Sequence, residues 1–249
     1  MTFISNLTIP NIQLPKINFR AGTVSTHSVP ADFVSEDKYT TSTIGVEYSD
    51  ENKIKQLAKS NPNIQRILKE NGIPLKVNMD IISELKTGHL QDSRIVSALI
   101  YQNLPKEFQS EIKMETLQQA AMLHDYGKIL IPAEILNKKT PLTDKEWNII
   151  QQHSQLGYEL LKMQGVNEEV LNLVKYHHQN SDGTGYPKID KDYDNSLALN
   201  IIRAADRYTA LREARPYKKP MTKEEALNII KNDTPPIIYE ALLRAVENT

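Results

Sequence analysis

From Asp50 to the C-terminus almost no stretch alternates apolar and polar residues; apolar side chains recur every three or four positions instead. That period builds amphipathic helices and gives a β-strand no continuous apolar face, so this part of the chain is limited to an all-α fold. Helix punctuation follows the same register. Ile54, Leu57 and Ala58 share one face over 51–59, where Asn61-Pro62 ends the run. A second helix over 62–69 closes at Asn71-Gly72. Asn78 opens a third carrying Ile81, Ile82, Leu85 and His89, with Gly88 as a kink. Helices are expected over 94–104, 111–126 and, briefly, 131–137. Thr143 and Glu146 have capping-box spacing and open a helix with Trp147, Ile150, His153, Leu156, Leu160 and Leu161, ended by Gly165. Asn167 caps the next, which runs through Val170, Leu171 and Val174 to His177-His178. Residues 179–195 read as a polar loop, and 196–212 as a helix that buries Leu199, Ile202 and Ala205 beside Asp206. Thr222 and Glu225 form another capping box, and Pro235-Pro236 separates the last two helices.

Residues 1–48 differ. They are rich in Thr, Ser, Asn and Pro, with Pro10, Pro15 and Pro30 spread through them and no sustained apolar period. An irregular or disordered tail is expected there, holding a short strand or two and a solvated His27. Residues 49–249 then form a single helical domain. Thirty basic against 31 acidic residues, a net charge of −1, excludes a general binder of nucleic-acid polymers. No cysteine is present, so a transition metal would have to be held by His and carboxylates. No apolar run approaches the roughly 20 residues a membrane helix needs. Met1-Thr2-Phe3-Ile4-Ser5 has neither a basic start nor an apolar continuation of the secretory kind, so a cytoplasmic location is expected.

The chemistry concentrates around Leu123-His124-Asp125-Tyr126-Gly127-Lys128. Adjacent His and Asp offer a nitrogen and a carboxylate oxygen to one cation, and the carboxylate can bridge to a second. Gly127 is expected to stop the helix through backbone angles other residues avoid, leaving Lys128 to face whatever the metal holds. Taken alone, a His-Asp pair is more often a buried hydrogen bond at a helix end. Yet five of the six histidines, His89, His124, His153, His177 and His178, sit on or beside predicted helices, as do Asp125 and Asp206. Burying so many titratable groups without partners is costly, and bound cations would resolve the cost. One division places His89, His124, Asp125 and Asp206 around one metal, with Asp125 bridging to a second held by His153, His177 and His178.

In this order, the residues His89, His124-Asp125-x-Gly127-Lys128, His153, His177-His178, Asp182-Gly183-x-Gly185-Tyr186-Pro187 and Asp206 resemble the HD-GYP subfamily of the HD metal-dependent phosphohydrolases. So do the segments Lys128 to Lys138, Leu142 to Trp147, Ala205 to Leu211 and Arg215-Pro216-Tyr217-Lys218, and the resemblance covers roughly residues 85–231. It implies an HD-type helical bundle with two divalent transition metals, iron or manganese, and hydrolysis of a cyclic dinucleotide, above all cyclic di-GMP. By position it assigns Lys128 and Asp125 to catalysis, Arg215 and Lys218 to substrate phosphate, and Gly185 and Tyr186 to the loop bordering the substrate. That loop is also where a signalling partner would bind. The first ligand is His89 rather than Gln91, because Thr87-Gly88-His89 matches the family's approach and Gln is a poor ligand. Two departures stand out: His177-His178 is followed by Gln179 where the family often has Glu, and no acidic residue precedes His89 by one turn, so a third metal is not expected.

A phosphodiester repels nucleophiles and has a poor leaving group; two cations about 3.5–4 Å apart answer both problems and make hydroxide available at neutral pH. Lys128 would stabilise charge on the phosphoryl group, and Arg215 and Lys218 would clamp phosphate. Without the resemblance, Arg215 and Lys218 read as a solvated basic patch. Two other functions compete: a phosphohydrolase of another nucleotide, and a non-catalytic module that binds a nucleotide or a signalling partner.

Overall fold

A computed structural model describes residues 46, 50–81, 89–213 and 219–247, with His89 described by its backbone alone. The expected tail with His27, and the Gly88 kink, lie outside the described residues. Val46 does not: it is buried and joins the hydrophobic core.

The described helices are α1 (Glu51–Ser60), α2 (Pro62–Asn71), α3 (His89–Gln102), α4 (Lys106–Gln109), α5 (Met114–Leu123), α6 (Ala133–Leu136), α7 (Asp144–Lys162), α8 (Glu168–Tyr176), α9 (Leu197–Arg212), α10 (Lys223–Ile230) and α11 (Pro236–Glu247). A 3-10 turn spans Tyr126–Leu130, and no strand occurs among the described residues. Both capping boxes form, with Thr143 and Thr222 accepting from the backbone N–H of Glu146 and Glu225. Gly72 and Gly165 close α2 and the turn after α7 with φ of +63° and +75°.

α3 lies at the centre, packed against α5, α9 and α11. α7 packs against α8, α2 and the 3-10 turn. One apolar cluster runs from Val46 to Val246 and includes Leu117, Leu123, Ile150, Leu160, Val174 and Ile202. A polar tie fixes α2 to α7: the amides of Asn61 and Asn63 each donate to Glu159, both at 3.0 Å.

Two local expectations are corrected at the places that matter for the site. The helix read as 111–126 covers 114–123, and the chain then tightens into the 3-10 turn, all five residues of which are buried. Gly127 does not have a positive φ. A Cβ there would lie 1.9 Å from the His153 carbonyl oxygen and 2.4 Å from the Gly157 nitrogen. The glycine serves close approach of two backbones, the turn against α7. The helix read as running to His178 stops at Tyr176, which places both histidines in the turn that follows.

Candidate metal centre and adjoining cavity

Four elements deliver the site. His124 and Asp125 follow the last residue of α5, His153 sits mid-way along α7, His177 and His178 follow α8, and Asp206 lies on α9. The side chains are almost sealed: His124 and His153 are 0% exposed, His177 1%, Asp206 3% and Asp125 4%.

Three imidazoles are oriented by one device. Nδ1 of His124, His153 and His177 lies 2.9, 2.7 and 2.7 Å from the carbonyl oxygen three residues earlier, of Ala121, Ile150 and Val174. A carbonyl only accepts, so each Nδ1 carries the proton and each Nε2 presents a lone pair. Those lone pairs converge: Nε2 of His153 and of His177 are 3.2 Å apart. Two lone pairs aimed at each other repel, and a shared cation relieves the repulsion. The same backbone anchoring is what orients metal-ligating histidines.

The carboxylates divide their oxygens. Oδ1 of Asp125 lies 3.3 Å from His153 Nε2 and 3.9 Å from His177 Nε2. Its Oδ2 lies 3.5 Å from His124 Nε2 and 2.5 Å from Lys128 Nζ. Asp206 sets Oδ1 3.6 Å from His124 Nε2 and Oδ2 3.9 Å from His178 Nδ1. Ligand atoms of Asp125, His153, His177 and His178 all lie within 4.8 Å of one another. Buried nitrogen and oxygen donors with no thiolate suit divalent transition cations.

The electrostatics keep Asp125, His177 and His178 in their ligating forms. Burial opposes ionisation of Asp125, yet the Lys128 ammonium holds its carboxyl well below the usual range. Burial, then the neighbouring His178, pushes His177 well below an ordinary histidine, and burial drives His178 down to about 3. Tyr186 stays a phenol, because burial and then the Asp206 and Asp125 carboxylates push its pKa well up.

Tyr186 tilts over His178 with ring centroids 4.7 Å apart and meets Trp147 edge-on at 6.3 Å. Gly185 lets its loop close: a Cβ there would lie 2.2 Å from the His178 carbonyl oxygen. A cavity of about 360 Å³ adjoins the cluster and is lined by His177, His178, Asp206, Tyr186, Trp147 and Arg207, among others.

The structure therefore brings His124, Asp125, Lys128, His153, His177, His178 and Asp206 together and sets Gly185 and Tyr186 beside them. The His89 side chain, Arg215 and Lys218 lie outside the described residues. Gln91 accepts a hydrogen bond from Arg94 through its amide oxygen, at 2.9 Å.

Sequence reasoning noted Gln179 only as a departure from the family pattern, without a role, and did not single out Arg203. Gln179 is 0% exposed; its amide donates to the Pro187 carbonyl at 2.7 Å, and its Oε1 accepts from the Gly185 and Asn180 N–H groups at 2.7 and 2.9 Å. Arg203, one turn before Asp206, donates to the Gln179 carbonyl at 2.8 Å, Ser181 Oγ at 2.8 Å, Asn200 Oδ1 at 2.7 Å and Asn195 Oδ1 at 3.3 Å. It ties the segment after the two histidines to the helix that carries Asp206. The available signal was the row Asn200, Arg203, Arg207 at helical spacing on the helix that carries Asp206.

Comparison with known proteins places these residues in context. The HD domain family model matches residues 76–235. A "Cyclic di-GMP phosphodiesterase" of Thermotoga maritima is 36% identical over 143 residues, covering 54% of this chain and 38% of that protein. The "Cyclic di-GMP phosphodiesterase response regulator RpfG" of Xanthomonas campestris pv. campestris is 40% identical over 120 residues, covering 47% and 32%. A "3'3'-cGAMP-specific phosphodiesterase 1" of Vibrio cholerae is 35% identical over 144 residues, covering 57% and 33%. The chain thus spans about a third of the length of these curated relatives. No described helix is long and apolar enough to cross a membrane.

Proposed function

The chain belongs to the HD domain family, and from that premise we propose that it is a metal-dependent phosphodiesterase that hydrolyses a cyclic dinucleotide, cyclic di-GMP first. The reading is supported above all by Asp125, a buried carboxylate whose two oxygens face different sets of imidazoles. His124, Asp125 and Asp206, with His89, would hold one divalent cation. Asp125, His153, His177 and His178 would hold the second, with iron or manganese as the metals. When bound, such cations neutralise phosphate charge and lower the pKa of water from about 15.7 towards 7.

The remaining work falls to the chain's own residues. Asp125 stays ionised and anchors the cluster. The three backbone-anchored imidazoles keep their lone pairs inward without needing to reorganise. Lys128 brings a cation beside the phosphoryl position and acts on the transition state rather than as a ligand. Arg215 and Lys218 clamp phosphate, and Tyr186 and Gly185 form the loop edge over the substrate. The same proposal puts the protein in the cytoplasm, with a signalling partner reading the Gly185-Tyr186-Pro187 loop.

The relatives named for cyclic di-GMP and for 3'3'-cGAMP define the substrate panel. Protein purified without chelators should carry two metals per chain by elemental analysis. Loaded with Fe(II) or Mn(II), it should hydrolyse at least one cyclic dinucleotide and lose that activity in EDTA. Full metal content with no turnover of any panel member would overturn the enzyme reading and leave a binding module.

A further inference from the structure

Beside the metal ligands, the cavity contains a charged pair that the proposed chemistry does not use. Arg207 on α9 donates to Asp233, which comes from the turn between α10 and α11, and both residues line the cavity. Both side chains are partly exposed, 22% and 32%, so their remaining donors and acceptors can be reached from the cavity. The half-buried indole of Trp147 lines the same space.

A phosphate does not suit this pair. Asp233 already neutralises Arg207, and its carboxylate repels an anion. What suits it is a neutral planar group with adjacent donors and adjacent acceptors. Guanine has N1–H and N2–H side by side, which a carboxylate can accept together. It also has O6 and N7 side by side, which an arginine fork can meet together. Adenine offers one exocyclic donor and no adjacent pair of acceptors, so it would leave part of each side chain unpaired. Trp147 supplies the flat apolar surface that a base needs for stacking.

We propose that Arg207 and Asp233 are a guanine-reading pair, specificity-determining residues that select a guanine nucleotide whose phosphate lies at the Asp206 end of the cavity. The proposal rests on the cyclic dinucleotide reading and assigns its base preference to two named residues.

The test compares cyclic di-GMP with cyclic di-AMP on full-length, metal-loaded protein, by kcat/KM and by calorimetric affinity. Wild type should favour cyclic di-GMP. Asp233→Asn and Arg207→Gln should each weaken cyclic di-GMP about tenfold or more through KM and affinity. Cyclic di-AMP should change less than twofold, so the selectivity ratio collapses. Melting curves with and without metal accompany each variant, and a ratio that collapses in a cooperatively folded variant supports the pair. Equal losses on both dinucleotides would show a phosphate contact and overturn the proposal, as would an unchanged ratio. Wild-type hydrolysis of bis(p-nitrophenyl) phosphate, which carries no base, reads the metal chemistry separately. If wild type turns over nothing, the function reading fails, and the two affinities still decide whether guanine is selected.

Discussion

Gly127→Ala is the sharpest perturbation available, because it adds one methyl group at the contact that holds two proposed ligands together. The new Cβ would sit 1.9 Å from the His153 carbonyl oxygen, where ordinary contact begins at 3.4 Å. The difference, 3.4 − 1.9 = 1.5 Å, has to be taken up by backbone, since the obstacles are the carbonyl of His153 and the nitrogen of Gly157. Overpacking of a rigid interior costs about 1–3 kcal/mol, and a clash with backbone belongs at the upper end. At about 2–4 °C per kcal/mol for a chain of this size, the melting temperature should fall by about 6–12 °C. The functional effect should be larger. The turn that moves begins at Asp125, and the helix it moves against carries His153. A misplacement of about 1 Å is enough to cost about 10²-fold in rate. Calorimetric melting, metal titration and turnover of cyclic di-GMP together test this. An alanine variant that melts within 2 °C of wild type (a bound set by the cost above) and binds its full metal complement would refute the close-approach argument.

The other predictions use the same assays. Lys128→Ala should keep the metal content of loaded protein and lower kcat by about 10²–10³, the usual cost of one preorganised charge-stabilising group. Loss of metal would refute that role. In EDTA the same variant should melt earlier than wild type, because Asp125 loses the ammonium 2.5 Å away and stays buried. Arg203→Gln should destabilise by about 3 kcal/mol and weaken metal binding by freeing residues 179–181 from α9, and Arg203→Lys should restore only part of both. Unchanged metal affinity in Arg203→Gln would show that the network only stabilises. Deleting residues 1–45 should leave the melting temperature near wild type, whereas deletion through 50 should lower it by several degrees, because it removes buried Val46 and the Asp50 cap that accepts from Lys53 N–H at 3.0 Å.

Most helices were legible because each is bounded by a local signal that needs no partner. Thr143 with Glu146, Thr222 with Glu225, Asn167, Gly72 and Gly165 all act within about one turn of chain, and each stands where the sequence put a boundary. The errors fell where packing between distant segments decides. Nothing within 123–130 says that this turn will press against residues 153–157, so a glycine demanded by that approach looked like a helix stop. Arg203 was missed for a related reason. Its acceptors come from 179, 181 and 195 as well as its own helix, and an arginine among apolar residues does not reveal that a loop will fold over it.

The candidate site lies between these cases, because part of its geometry is also a local rule. His124 and His177 each stand directly after the last residue of a helix. The carbonyls of a helix's final turn run out of backbone donors. Each imidazole gives its Nδ1 proton to a carbonyl in that turn, of Ala121 or Val174. The same bond that satisfies the helix end fixes the tautomer and points Nε2 away from the helix. His153 makes the equivalent bond to Ile150 from the middle of α7. A histidine just past a helix end is therefore an inward-facing donor before any partner arrives. What the chain as a whole has to supply is the meeting of these two donors with His153 around Asp125.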